Sequence, residues 1–241
     1  MSALDPKELF GADPTTASPL IPAATVLLLR DTDAGLEVLM LRKNRGQAFG
    51  GMWVFPGGKV DPGDVATTDE ADRELAVARA AAQRETLEET GLIVAGDDFV
   101  PFSHWVPPPE TPKRFSTWFF LASLPAGAAD VVIDGGEIGD HVWTTPSGAL
   151  ERHRAGEASL VPPTWVTLND LAAFPTTDDA LAAARAVEPP RYATRFVDAE
   201  GTVVTLWHPD AAYVTDPLDL DAPGARNRLH MHPDGWHLER S

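Results

Sequence analysis

The chain predicts a mixed α and β fold of the α+β class, on three observations. Short apolar runs bounded by Gly, Pro and Asp recur along it at strand length. One long alanine-rich run closes in RETLEETG at 84–91 and has the length and composition of a helix. Beyond Leu160, two further helical patterns and two turn-linked pairs of apolar runs predict a C-terminal helical and β-hairpin extension.

Taken in order, residues 1–22 are rich in Pro, Ser, Thr and Asp and predict an extended arm. ATVLLLR at 24–30 and LEVLMLR at 36–42 predict two strands, and the Asp and Gly residues of 31–35 suit a hairpin between them. Residues 43–52 predict a loop, and 53–55 a short strand that delivers the glycine pair Gly57 and Gly58. Thr67 and Glu70 form a candidate capping box for the helix that runs on to Thr90, and Gly91 supplies its C-cap. A strand is expected directly after Gly91, then one over 99–106 ended by three prolines, one over 115–122 and a short one over 142–144. Pro146 opens a helix to His153. Pro162 and Pro163 mark a break before two helices in TLNDLAAF and TTDDALAAARAV, each with a Thr or Asp cap candidate. Hairpins are expected for 192–197 with 202–208 and for 228–232 with 236–240. The organisation expected is an arm over 1–22, a domain over 23–158 and an extension over 159–241 that packs on the domain or on a second copy of the chain.

Composition narrows the function. Acidic residues number 36 against 19 basic ones, a formal charge of −17, which argues against nucleic acid or an anionic membrane as the main partner. There is no cysteine, so disulfides say nothing about redox compartment. No apolar run approaches the roughly 18 residues of a membrane span, and the N-terminus lacks a basic region followed by an apolar core. A cytoplasmic location is expected.

The chemistry concentrates at the end of the long helix. Glu85, Glu88 and Glu89 stand at i, i+3 and i+4, which places them on one helix face where like charges repel. A bare cluster of this kind is ordinarily a solvated helix end. Next to it, however, Arg84 can hold a carboxylate through its planar fork, and Gly57 and Gly58 allow backbone carbonyls to approach the same point. A hard divalent cation, magnesium or manganese, suits such oxygen donors.

These residues resemble the Nudix box, G-x5-E-x7-R-E-U-x-E-E-x-G-U with U apolar. Gly58, Arg84, Glu85, Glu88, Glu89, Gly91 and Leu92 match it; Asp64 stands for the first glutamate and Thr86 for an apolar residue. The spacing is longer, with nineteen residues between Asp64 and Arg84 where the pattern has seven. Twelve extra residues make about three turns, which can lengthen the helix or add a small one without rotating the glutamates out of line. The resemblance implies an α/β/α sandwich with a mixed sheet, a requirement for Mg2+ or Mn2+, a homodimer, and hydrolysis of a nucleoside diphosphate linked to another moiety. It implies Gly57, Glu85, Glu88 and Glu89 as metal ligands and Arg84, Glu85 and Glu88 as catalytic residues. Glu137 is the downstream candidate for the general base, with Asp140 beside it and Glu110 as a weaker alternative.

The substrate is read less directly. GMWVFPGG, with Asp61 and Asp64 ahead of RETLEETGL, resembles the coenzyme A diphosphatase branch, and the insertion with WVPPPETPKRFSTWFF is similar to a CoA-active branch of animals. Arg42 matches the first arginine of that branch's lead-in; Lys43 replaces its serine, Gln47 its second arginine, and Arg45 is displaced by two positions. Arg42, Arg45, Lys59, Lys113 and Arg114 are candidate phosphate contacts, and Trp118 a candidate base-stacking residue with Trp105 and Phe115. Each of these is also at home as surface charge or strand core. ADP-ribose or NADH remains an alternative substrate, and a ligand-binding module without catalysis an alternative function. His230 and His232 share a strand face opposite His237, where a surface or interface hairpin is favoured over a zinc site.

Overall fold

The computed structural model describes residues 18–46, 49–65, 73–124 and 130–241. Its centre is the strand β1 (Leu20–Thr32), which begins within the segment expected as an arm. With β2 (Gly35–Lys43) it forms the expected hairpin, Leu29 opposite Val38 and Thr32 opposite Gly35. The N-terminal half of β1 pairs instead with β4 (Gly57–Lys59), placing Ala24 opposite Gly58 and Thr25 opposite Gly57. The expected strand at 53–55 is β3 (Trp53–Val54), paired to β2.

The long helix α1 (Arg73–Thr90) follows. The capping box proposed at Thr67 and Glu70 lies outside the described residues. Alanines 76, 78, 81 and 82 are its buried contacts and bring it close to the sheet. The helix stops at Gly91, whose φ of 69° is the left-handed conformation a glycine tolerates best. The strand expected next is not formed. Leu92 and Val94 are buried with the residues under α1, Ile93 is 83% exposed, and a 3-10 turn at Gly96–Asp98 leads into β5 (Val100–Val106). The period-two pattern of this stretch reflects one-sided burial without a sheet partner.

β6 (Arg114–Ser123) pairs parallel to β1 over its whole length and antiparallel to β5. β7 (Ile138–Thr144), longer than expected, pairs with β2. The helices α2 (Pro146–Arg154), α3 (Pro162–Leu171) and α4 (Thr177–Ala186) follow. Pro162 and Pro163 open α3 rather than break the chain, because the first turn of a helix has no use for their missing N–H groups. Thr145 and Thr176 cap α2 and α4 through their hydroxyls.

The main sheet has the order β3-β2-β1-β6-β5-β8, with β4 and β7 attached to β1 and β2. Its last strand, β8 (Arg191–Ala193), runs parallel to β5 and takes Tyr192, which had been expected in a hairpin. The hairpin there is shorter, β9 (Arg195–Ala199) with β10 (Thr202–Leu206), and it continues through β11 (Asn227–His232) and β12 (Gly235–Arg240) into a four-stranded antiparallel sheet.

Alternation along the strands divides the core in two. Ala24, Val26, Leu28, Leu39, Leu41 and Phe120 face α1. Leu27, Leu29, Val38, Met40, Trp105, Phe119 and Leu121 face the other way, onto α3, α4 and the small sheet. The result is the expected mixed sheet covered on both faces, with a C-terminal β-hairpin sheet added.

Candidate functional site

Strand parity and helix phase together build the site. Leu39 and Leu41 of β2 face α1, and two residues further on the same alternation points Lys43 at the end of that helix. Its ammonium lies 2.7 Å from Glu89 Oε1 and 2.6 Å from Glu137 Oε1, and only 7% of the side chain is exposed. Glu89 also accepts a hydrogen bond of 2.8 Å from the backbone N–H of Gly57. The amide of Gly57 is thus in direct contact with the cluster.

Burial pushes Glu89 up to about 7, against the opposing pull of Lys43 and the Gly57 amide. Burial alone would lower Lys43, but Glu89 and Glu137 outweigh it and hold the ammonium above its ordinary range. Glu85 is likewise raised, first by burial, against Arg84. Its carboxylate packs directly on Gly58, where an added Cβ would collide with Glu85 Oε1.

Arg84 organises the other side. Its Nε and Nη2 donate to the two oxygens of Asp64 at 2.9 and 3.0 Å, and Nη1 donates to Glu85 at 2.8 Å and Glu88 at 3.0 Å. The hydrogen bonds to Asp64 raise Arg84. Asp64 would rise on burial, but the Arg84 fork and the Asp61 amide keep it below the usual carboxylate range. Asp64 thus acts as an anchor for Arg84.

Among the described residues, no three acidic or histidine side chains are already gathered as a cage for a metal ion. Arg84 gathers Glu85 and Glu88, while Lys43 and Gly57 gather Glu89. The donors nevertheless suit a hard divalent cation. They are all carboxylate oxygens, the charge of Glu85 helps to raise Glu89 and that of Glu88 helps to raise Glu85, and Glu85 sits against a glycine that leaves no side chain in the way.

A cavity of about 400 Å3 opens beside this cluster, touching Lys43, Gly57, Gly58, Lys59, Glu85 and Glu137. Of the other candidate residues, Lys113, Trp105 and Phe115 line it. Phe115, Thr117 and Phe119 present one face of β6 to the cavity; Trp118 belongs to the opposite face, stacked on His104 at 4.4 Å on the α1 side. Arg114 donates to the carbonyls of Ser18 and Pro107, and Arg42 pairs with Asp140 at 3.2 Å. Arg45 is exposed in the loop after β2, and Lys59 pairs with Asp61 at 3.2 Å. His230 and His237 are cross-strand partners in the small sheet, with His230 3.2 Å from Glu239. Sequence reasoning passed over the role of Lys43; the signal was a lysine continuing the buried parity of Leu39 and Leu41.

The model of the NUDIX domain matches residues 19–184, more than half of the chain. The chain belongs to the Nudix family. A curated relative, putative Nudix hydrolase 7 of Caenorhabditis elegans, is 25% identical over 177 residues, covering 58% of this chain. The match spans 57% of that relative's own length. A crystallised Nudix hydrolase from Alicyclobacillus acidocaldarius superposes with a TM-score of 0.60 at 25% identity, covering 68% of this chain and 96% of the other. The Nudix box of this chain is the segment from Gly58 to Leu92, with its extra length before Arg84. Part of that length is taken up by α1, which begins twelve residues ahead of Glu85. No helix among the described residues is long and apolar enough to cross a membrane.

Proposed function

We propose that this chain is a metal-dependent pyrophosphohydrolase acting on a nucleoside diphosphate linked to a second moiety. The observation that carries the reading is the gathering of Glu85, Glu137 and Lys43 on the lining of a cavity large enough for an organic group, with Glu89 paired to Lys43 just behind it.

Glu85, Glu88 and Glu89 are the residues that would hold Mg2+ or Mn2+. When bound, the ion supplies polarisation of the diphosphate and a lowered pKa for a coordinated water. Arg84 fixes Glu85 and Glu88, and Asp64 fixes Arg84. Lys43 offers a buried positive charge to the oxygen that departs with the leaving phosphate. Glu137, half exposed on the cavity lining, would take a proton from the attacking water. Water oxygen bonds to one phosphorus, the bond from that phosphorus to the bridging oxygen breaks, and two phosphomonoesters leave.

Coenzyme A or an acyl-CoA is the substrate proposed within this class, supported by the resemblance of GMWVFPGG and the box to the coenzyme A diphosphatase branch. Product analysis separates it from its rivals. Cleavage to 3′,5′-ADP and 4′-phosphopantetheine supports the CoA reading; preferential release of AMP and ribose 5-phosphate from ADP-ribose replaces it.

A further inference from the structure

Glu137 stands on a side of the sheet that plain strand alternation would not give it. β7 pairs with β2 in step from Thr144 opposite Val38 to Asp140 opposite Arg42. Over that stretch Trp143 and His141 lie opposite Leu39 and Leu41, and so belong to the face that looks at α1. Continued by twos, the same alternation would bring Gly139 and then Glu137 to that face. The register breaks first. Lys43 is opposite Ile138, so Gly139 is an extra residue between two successive pairs, a bulge. Ile138, fully buried, takes the α1 face in its place. The count for Glu137 then falls on the other face, that of Trp105 and Phe119, which line the cavity with it.

Two side chains hold this bulge. Asn44 donates from Nδ2 to the carbonyls of Gly136 at 3.0 Å and Gly135 at 3.4 Å, and its backbone N–H donates to the Glu137 carbonyl at 2.8 Å. A Cβ on residue 139 would stand 2.3 Å from Asn44 Oδ1, so only a glycine there lets Asn44 keep its place. From the other flank Asp134 accepts the Glu137 N–H at 3.0 Å and the Ile138 N–H at 2.9 Å. Both backbone polar groups of Glu137 are thereby tied, the N–H to Asp134 and the carbonyl to Asn44, while the carboxylate lies 2.6 Å from the Lys43 ammonium. The Glu137 side chain is half exposed, so these bonds rather than packing fix its direction. Neither Asn44 nor Asp134 is among the residues that line the cavity.

We propose that Asn44 and Asp134 are positioning residues that aim the Glu137 carboxylate at the attacking water by holding the bulge at Gly139. This rests on the pyrophosphohydrolase reading with Glu137 as base, and adds the residues through which that base is placed. A misplacement of about 1 Å at a reacting group can cost about a hundredfold in rate, so residues that never touch substrate can govern kcat.

The test joins crystal structures of the full-chain variants to steady-state kinetics with Mg2+ and coenzyme A or ADP-ribose, whichever is turned over. Asn44→Ala and Asp134→Ala are each expected to lower kcat about tenfold, with KM within about twofold of the wild type. Glu137→Gln is expected to lower kcat about a hundredfold, and adding either alanine to it to lower kcat no further. Asp134→Asn, which keeps one accepting oxygen, should lie between Asp134→Ala and the wild type. Gly139→Ala, which pushes the Asn44 side chain off the bulge, should reproduce Asn44→Ala and carries the test if an alanine variant does not fold. In crystals of Asn44→Ala or Gly139→Ala the Glu137 carboxylate should have left Lys43. With Glu137→Gln impaired, wild-type kcat in the folded variants or a further tenfold loss in the glutamine background overturns the proposal, as does a carboxylate unmoved in the crystals. Failure of the catalytic reading shows separately, as wild-type kcat in Glu137→Gln or no turnover by the wild type, and the crystals then decide the positioning alone.

Discussion

Gly58 and Glu85 are in such close contact that no side chain larger than hydrogen fits between them: a Cβ on Gly58 would overlap the Glu85 carboxylate. The atom it meets is the tip of a side chain that can swing away. Gly57 differs, since a Cβ there would strike the backbone carbonyl of Ala24, and its φ of 153° is itself strained for an L residue. Gly58→Ala is therefore expected to keep the fold and lose at least a hundredfold in kcat. Gly57→Ala is expected to lose about 1–3 kcal/mol of stability. Urea unfolding and steady-state kinetics on the two variants check the contrast; equal effects on both would contradict it.

Lys43→Met leaves Glu89 buried without its ammonium. Removing one partner of a buried ion pair costs about 3–5 kcal/mol, with the Glu137 side contributing least because that carboxylate is half exposed. The metal-free variant should melt well below the wild type, and Mn2+ should restore more of its Tm than it adds to the wild type. An unchanged Tm without metal would show that Lys43 does not neutralise the cluster.

Asp64→Asn removes the charge that the Arg84 fork grips. Hydrogen bonds to charged groups contribute about 1.5–3 kcal/mol each, so a loss of about 2 kcal/mol is expected. A fall of about tenfold in kcat should accompany it, since Arg84 is then free to draw Glu85 and Glu88 away. Kinetics with Asp64→Glu, which keeps the charge, should lie between the two.

The small sheet carries a pH signature of its own. Asp210 and Arg228 are buried and paired through two hydrogen bonds of 2.7 Å, and Asp210 also accepts the amides of Ala212 and Asn227. Burial pushes Asp210 up, but Arg228 and the amides outweigh it and hold the carboxyl low. A carboxyl with a depressed folded pKa contributes its full stability above its unfolded value of about 3.9 and loses it as pH falls through the folded value. Urea unfolding should show wild-type stability falling below about pH 4. Asp210→Asn should be less stable at pH 7 and should lack part of that acid loss; an identical acid slope would remove Asp210 from the explanation.

Much of this was legible in the sequence because it depends on spacing. The helix face bearing Glu85, Glu88 and Glu89, the Gly91 stop, the β1–β2 hairpin and the β11–β12 hairpin all follow from local periodicity. What escaped depends on which side of the sheet a strand shows its residues to. Trp118 and Phe115 look equivalent in FSTWFF, yet register with β1 and β5 sends one to α1 and the other to the cavity. Lys43 looked like a loop residue until the parity of β2 turned it inward. Part of the cavity lining comes from residues more than a hundred positions beyond Gly58, and no local pattern announces such an approach.

The most direct measurement follows the diphosphate itself by 31P NMR, with Mg2+ or Mn2+ and a panel of nucleoside diphosphate derivatives. Wild-type protein should convert the paired diphosphate resonances of at least one substrate into two phosphomonoester signals. EDTA should abolish the conversion, and Glu85→Gln or Glu89→Gln should slow it by several orders of magnitude while the far-UV spectrum is unchanged. Undiminished cleavage in both glutamine variants, or no cleavage across the panel with metal bound, would contradict the role given to the carboxylates at the end of α1.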